Sequence, residues 1–147
     1  MRRLLSWPGI VLACLALGCG RSDGLERLVP VKGKVIFTGK PITSGNARTV
    51  ILKPDADQGN KTPHEPRGEI DKDGNFQVFT ANRAGAPPGQ YKVAVIVMES
   101  PLPDSKNPYA PPKWLIDSKY GDPATSGLKL NVVDDAPSGA YDLTIAN

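Results

Sequence analysis

The chain has 147 residues and a formal net charge of +3, with two cysteines and one histidine. Arg2 and Arg3 account for two of its eighteen basic residues, so the rest of the chain carries sixteen basic against fifteen acidic side chains. Nucleic-acid binding needs clustered cations, and this balanced composition, without a lysine or arginine run, excludes nucleic acid as a partner. Fifteen glycines and fifteen prolines separate short apolar segments, which is typical of short strands joined by many turns.

The first eighteen residues have the three parts of an export signal. Arg2 and Arg3 precede an apolar run from Leu4 to Leu17, and small residues follow. A membrane-spanning helix needs about 20 apolar residues, which is more than this run offers. The pattern therefore predicts a cleaved signal peptide at 1–18.

The end of the apolar run, Ala16-Leu17-Gly18-Cys19, resembles a bacterial lipobox. The resemblance implies that Cys19 becomes the first residue of a lipoprotein, acylated with palmitate-type chains and held at the outer membrane or cell surface. Residues 19–28 would then be a tether, of which Arg21 to Leu28 span about 20 to 25 Å if extended.

Two alternatives to Cys19 acylation follow from the same segment. The position three before the cysteine is usually leucine in a lipobox, so the sequence before Cys14 matches better than the one before Cys19. Processing at Cys14 would, however, expose Leu15-Ala16-Leu17 and leave an apolar run of only about ten residues, which favours Cys19. The other alternative is an ordinary secreted protein with an incidental cysteine.

The most regular apolar pattern lies between Tyr91 and Met98. Tyrosine and valines alternate with alanine, isoleucine and methionine, so both faces are apolar from Val93 onward. This predicts a strand in the middle of a sheet. An Ala-Pro-x-Gly-x-Tyr phrase leads into it and recurs at 136–141. We interpret the two copies as the same type of turn at two places in a single sandwich, in preference to a true sequence repeat.

Alternation and turn residues predict six further strands, at 29–38, 47–53, 67–71, 75–80, 128–133 and 141–146. Pro30 and a mixed second face mark the first of them as an outer strand. Asp73-Gly74 marks the turn of a hairpin between the third and fourth. We therefore predict an all-β fold: a single antiparallel β-sandwich of about seven strands at 29–147, with at most one short helical turn near 112–120.

Several phrases of this domain resemble the carboxypeptidase-regulatory-like modules of the transthyretin-type β-sandwich. The resemblance is carried by residues 31–42, 68–76 and 86–93, and residues 107–112 and 120–128 resemble a variant abundant among lipoproteins of planctomycete-like bacteria. It covers nearly the whole mature chain. Because such modules are mostly accessory or surface modules, it implies a non-catalytic role, although fold resemblance alone does not settle activity.

Two groups of polar residues are candidates for a metal site. Asp71, Asp73 and Asn75 alternate as in a calcium loop, but Phe76 stands where the loop requires glycine, so a plain hairpin turn is the better interpretation. His64 is the only histidine, and one imidazole builds neither a zinc nor a typical iron site. We expect no metal and no cofactor.

The histidine count also argues against enzyme activity. Intradiol dioxygenases and hydroxyisourate hydrolases resemble this sandwich, but both rely on several histidines, and neither activity carries over to a chain with His64 alone. No Gly-x-Ser-x-Gly elbow occurs. The sequence therefore predicts that the protein is not an enzyme.

The segment 100–127 is long for a connection and contains six prolines with Tyr109, Trp114 and Tyr120. These three aromatic residues are the candidate ligand contacts, because aromatic rings beside polar groups suit sugar faces or peptide prolines. The other interpretation, which we favour, is that Trp114 and Tyr120 seal one end of the sandwich together with Leu115 and Ile116.

Together these patterns predict an exported, lipid-anchored, non-catalytic module of the cell envelope with a binding or structural role. Its expected partners are the membrane, through the N-terminal lipid, and an envelope protein or glycan. A secreted glycan- or peptide-binding module that uses residues 100–127 is the alternative, and a hydrolytic enzyme is the third.

Overall fold

The computed structural model describes residues 27–39, 45–100, 106–107 and 109–146. The predicted signal peptide, Cys14, Cys19 and all but the last two residues of the predicted tether lie outside the described residues, as does part of the 100–127 segment. The described part of the chain is all-β, as predicted. Its core lies between two sheets that pack as a sandwich.

Ten strands and two short 3₁₀ turns make up the described fold. The strands are β1 (Lys32–Thr38), β2 (Ala47–Pro54), β3 (Arg67–Glu69), β4 (Asn75–Gln77), β5 (Phe79–Thr80), β6 (Arg83–Ala84), β7 (Gly89–Glu99), β8 (Lys113–Trp114), β9 (Leu128–Val132) and β10 (Leu143–Ala146), and the 3₁₀ turns are Ala56–Gln58 and Ser118–Gly121. The prediction of about seven strands missed three. Two of these, β6 and β8, have only two residues each, and the third arises because the predicted strand 75–80 is divided at Val78.

The small sheet has the order β10-β1-β4, and the large sheet has the order β6-β5-β3-β2-β7. Both β8 and β9 pair with the remaining edge of β7, β9 along its first half and β8 near its end. All pairings are antiparallel except that of β1 with β10, which is parallel. A parallel pair needs a long connection, and here almost the whole domain lies between the two strands.

The expectation that the first strand is an outer strand is wrong. β1 is the central strand of the small sheet, with β10 on one edge and β4 on the other. Pro30 does not prevent this because it lies before β1, beside Val29, whose N–H donates to the Ala86 carbonyl at 2.9 Å. Proline blocks only the position at which its missing N–H would be needed.

The central position of β7 is confirmed. Tyr91, Val93, Val95 and Val97 are at most 1% exposed and face the small sheet. On the opposite face Ala94 is buried, whereas Ile96 and Met98 are only half-buried. One face of β7 is therefore the centre of the core, and the other is partly open.

The predicted hairpin is confirmed at its turn but not along its arms. Asp71 N–H donates to the Asn75 carbonyl at 2.8 Å, and Gly74 has the positive φ of 87° that the turn requires. Beyond the Ile70–Phe76 bridge the arms separate, because β3 pairs with β5 while β4 pairs with β1. The chain changes sheets at the fully buried Val78.

The two tyrosines of the repeated Ala-Pro-x-Gly-x-Tyr phrase have the same structural role. Tyr91 is 0% and Tyr141 is 5% exposed. The Tyr91 hydroxyl donates to the Pro87 carbonyl at 2.8 Å, and the Tyr141 hydroxyl donates to the Val133 carbonyl at 3.1 Å. Each ring fills the core while its hydroxyl closes the preceding loop.

Candidate functional site

The three aromatic residues singled out in the sequence have different environments. Tyr120 is 7% exposed, belongs to the core cluster, and its hydroxyl accepts a hydrogen bond from Ala146 N–H at 3.2 Å. Its ring has no surface to offer a ligand, so its position does not suit the role of a ligand contact. Ile116 is also in the core and Leu115 packs against it. Tyr120, Ile116 and Leu115 therefore pack as the packing interpretation predicted, whereas Trp114, which that interpretation also included, lies outside the core cluster.

Trp114 and Tyr109 keep exposed ring surface. Tyr109 is 93% exposed. Trp114, on β8, is 38% exposed, and its ring lies so close to Gly121 that a β-carbon there would overlap it. Trp114 is paired with Met98 of β7, so the two side chains lie on the same face of the large sheet.

That face, which we call the outer face, consists of the side chains of the large sheet that point away from the small sheet. Directly paired residues share a face, so the strand register identifies its members. The apolar members are Ala47, Ile51, Phe79, Ala84, Ala94, Ile96, Met98 and Trp114. Phe79 is 43% exposed. The outer face therefore presents apolar and aromatic surface where an antiparallel sheet ordinarily presents polar side chains.

Three lysines cross the outer face side by side. Lys53 of β2 is paired with Lys92 of β7, which is paired with Lys129 of β9. We call them the lysine row. Neighbouring strands lie about 5 Å apart, and like charges directly opposite one another repel. The sequence alone did not reveal this row, because its members are far apart in the chain.

Two aspartates compensate the middle of the lysine row. Lys92 Nζ lies 3.1 Å from Asp57 Oδ2 and 3.3 Å from Asp55 Oδ1. The hydrogen bond to Asp57, followed by the interaction with Asp55, raises the pKa of Lys92 above its ordinary value. Lys53 and Lys129 are exposed and form no ion pair within the part of the chain that the structure describes.

An open groove of about 710 Å³ lies at the end of the large sheet where β7 begins. Arg27, Asn60, Gly89, Gln90 and Asn131 are among its lining residues. The Asn60 amide already donates to the Gln90 carbonyl at 2.9 Å and accepts from Thr62 N–H at 3.2 Å. Its main role is thus to join the loop after β2 to β7.

The polar residues weighed as metal ligands serve the fold. Asp71 Oδ1 accepts from the N–H groups of Asp73 and Asn75, both at 2.8 Å. These contacts, led by the side-chain hydrogen bond from Asn75, lower the pKa of Asp71. Among the described residues no three histidine, cysteine or acidic side chains are grouped to hold a metal.

His64 lies in the loop between β2 and β3, partly exposed. Within the same described ranges, no helix has the length and apolar character needed to cross a membrane.

Comparisons with known proteins assign no family to this chain. No protein-family model, no curated protein and no solved structure matches it. The resemblance to carboxypeptidase-regulatory-like modules stays a prediction.

Proposed function

We propose that this protein is a non-catalytic module of the cell envelope, held at a membrane by a lipid on Cys19. The observation that carries the proposal is the position of Cys19, at the end of an apolar run and only eight residues before Arg27. At Arg27 the chain already takes part in the fold, through an ion pair with Asp134. An extended chain of eight residues spans about 25 Å, so the lipid would keep the domain at the membrane surface.

The use of the polar side chains supports a non-catalytic role. Asp71 organises a turn, Asn60 joins the loop after β2 to β7, and the Tyr120 hydroxyl accepts a hydrogen bond from β10. Asp55 and Asp57 contact Lys92. Each group has a structural role, and the resemblance to accessory surface modules points in the same direction.

Metabolic labelling with a palmitate analogue tests the anchor. We expect label on the wild type and on Cys14→Ala, and none on Cys19→Ala. Label that persists in Cys19→Ala but disappears in Cys14→Ala would move the anchor to Cys14, and an unlabelled wild type recovered from the medium would reject the anchor.

Exposed aromatic surface favours a second candidate, a glycan- or peptide-binding module. Tyr109 is almost fully exposed and Trp114 partly so. If they bind a ligand, Tyr109→Ala should abolish retention on a glycan or proline-rich peptide array without a change in stability. Retention that is unaffected by Tyr109→Ala and by Trp114→Ala would reject this candidate.

A further inference from the structure

We propose that the outer face of the large sheet lies flat on an anionic lipid bilayer, with the lysine row on lipid phosphates and Trp114 in the interfacial region. This inference rests on the proposed function, because the lipid on Cys19 supplies the proximity. It adds an orientation to the anchor and assigns a partner to a face that the described fold leaves partly open.

The apolar half of the outer face has the chemistry of an interfacial surface. Ile96 and Met98 are half-buried, and Trp114 beside them is 38% exposed. Tryptophan is enriched at the level of lipid headgroups, because its ring is apolar and its N–H is polar. Phe79 extends the apolar surface toward the edge of the sheet, at 43% exposure.

The charged half of the face complements lipid phosphates. Asp55 and Asp57 both contact Lys92, so these three side chains sum to a charge of −1, and the flanking Lys53 and Lys129 bring the row with its aspartates to +1. Arg67, paired with Ile51, is a fourth cation on the face. A lysine close to an anionic membrane surface gains about 1 kcal/mol.

One acidic residue of the face lies away from the lysine row. Glu69 is paired with Thr49, which is about 13 Å along β2 from Lys53. The positive end of the outer face is therefore the end that carries Lys53 and Lys129.

The chain enters the fold at this same end. Arg27 lines the groove together with Gly89, the first residue of β7, and pairs with Asp134, two residues beyond β9. Lys92 follows Gly89 by three residues, or about 10 Å of strand. A tether of about 25 Å thus reaches from the bilayer to the lysine end of the outer face.

Other occupants fit the outer face less well. Two copies packed through it with their strands in the same direction would bring two lysine rows together, which like-charge repulsion opposes. Packed in opposite directions, they would place the lysine row of each copy on the apolar end of the other, where contact with apolar side chains would desolvate Lys53 and Lys129 at a cost in free energy. A soluble acidic polysaccharide would match the lysines but leave Ile96 and Met98 uncovered. A lipid surface meets both halves of the face, since it offers phosphates and an apolar interior.

Tryptophan fluorescence provides the test. Trp7 and Trp114 are the two tryptophans of the chain, so removal of residues 1–18 leaves Trp114 as the single reporter. Mature protein, shown by intact mass to be acylated at Cys19, is reconstituted in phosphatidylcholine vesicles with or without phosphatidylglycerol, each containing a lipid with a quencher near its headgroup. We expect stronger quenching of Trp114 in the vesicles that contain phosphatidylglycerol.

Charge variants show whether the lysine row is responsible. The double variant Lys53→Gln/Lys129→Gln should lower the ratio of domains whose outer face lies on the bilayer to domains whose outer face is free. The expected decrease is about thirtyfold, because each lysine contributes about fivefold. Lys32→Gln/Lys34→Gln is the matched control, because it removes the same charge from exposed positions on the small sheet. The fluorescence of Trp114 in that control should be quenched as strongly as in the wild type.

Lysine acetylation of the wild type gives a second readout that needs no variant. In phosphatidylglycerol vesicles Lys53 and Lys129 should react more slowly than Lys32 and Lys34. Equal reactivity of the two pairs, or equal quenching in both kinds of vesicle, would overturn the inference while leaving the anchor intact. Protein that carries no acyl mass would instead reject the proposed function. If a soluble acidic polysaccharide protects Lys53 and Lys129 from acetylation and vesicles do not, the partner of the outer face is a glycan and not a lipid bilayer.

Discussion

The Lys92 ammonium lies 3.3 Å from Oδ1 of Asp55, a carboxylate that is only 2% exposed. No hydrogen bond from the described residues reaches that oxygen. The ion pair is therefore what compensates the burial of its negative charge, since a buried charge without a partner is strongly unfavourable.

This pair leads to the first prediction. Lys92→Gln should lower the free energy of unfolding more than Lys53→Gln does, although both variants remove one lysine from the same row. The reason is that Lys92→Gln leaves Asp55 uncompensated, whereas Lys53 has no acidic partner among the residues that the structure describes. Urea titrations of both variants measure the difference. Addition of Asp55→Asn to Lys92→Gln should recover part of the loss, and equal losses for the two single variants would contradict the role of the pair.

The second prediction concerns alkaline pH. Burial raises the pKa of Tyr91 above its ordinary value of 10.0, and Asp57 and Asp55 raise that of Lys92 above 10.5. Both groups hold their protons more tightly in the folded state, so their contribution to stability is complete below about pH 10 and is lost as the pH rises through the folded pKa values.

The urea midpoint should therefore fall between about pH 8 and about pH 11, and this fall should be larger in the wild type than in Tyr91→Phe or Lys92→Gln. Tyr91→Phe also removes the hydrogen bond to Pro87, so its midpoint is expected to be lower at neutral pH but to change less with pH. A wild type as stable at the higher pH as at neutral pH would contradict this account.

The third prediction concerns Gly33, on the central strand of the small sheet, where the turn before β10 and the Phe76 ring approach the backbone closely. A β-carbon at this position would overlap the Tyr141 carbonyl and lie 2.8 Å from Phe76 Cζ. Gly33→Ala should cost about 3 kcal/mol of unfolding free energy, because neither backbone nor ring can retreat without disturbing the core. Gly127→Ala is the control: it meets no atom within 4 Å but has a φ of +70°, so it should cost only about 1 kcal/mol. Similar costs at both positions would mean that Tyr141 and Phe76 do not pack closely against Gly33.

The fourth prediction concerns the turn between β5 and β6. Ala81 and Asn82 both have positive φ, at 46° and 67°, and Thr80 pairs with Arg83 across them. This is the backbone of a two-residue hairpin turn that favours asparagine or glycine. Ala81→Asn should raise the free energy of unfolding by about 0.5 to 1 kcal/mol. Ala81→Val should lower it, since a branched side chain tolerates this conformation poorly; a gain with valine would contradict the assigned turn.

Local patterns were sufficient to predict the central strand and the hairpin turn. Two apolar faces placed β7 in the middle of a sheet, and Asp73-Gly74 marked a turn that is closed by hydrogen bonds between Asp71 and its neighbours Gly74 and Asn75. The packing of Tyr120 was the favoured one of two interpretations, but a role in recognition stayed open because an aromatic ring can serve either purpose. Only the fold shows that its hydroxyl meets Ala146.

Pairings between distant segments could not be predicted in this way. The place of β1 depends on β10, more than a hundred residues later, and β10 carries no mark of its partner in its own residues. The lysine row likewise depends on the register of three strands, in which Lys53, Lys92 and Lys129 become neighbours only after β2, β7 and β9 have paired.

The intact mass of the protein recovered from the membrane fraction of its own cells tests the central claim most directly. The account predicts a chain that begins at Cys19 and carries the additional mass of its acyl chains, both absent from a Cys19→Ala variant. An unmodified chain in the medium, or a membrane-bound chain that retains residues 1–18, would contradict it.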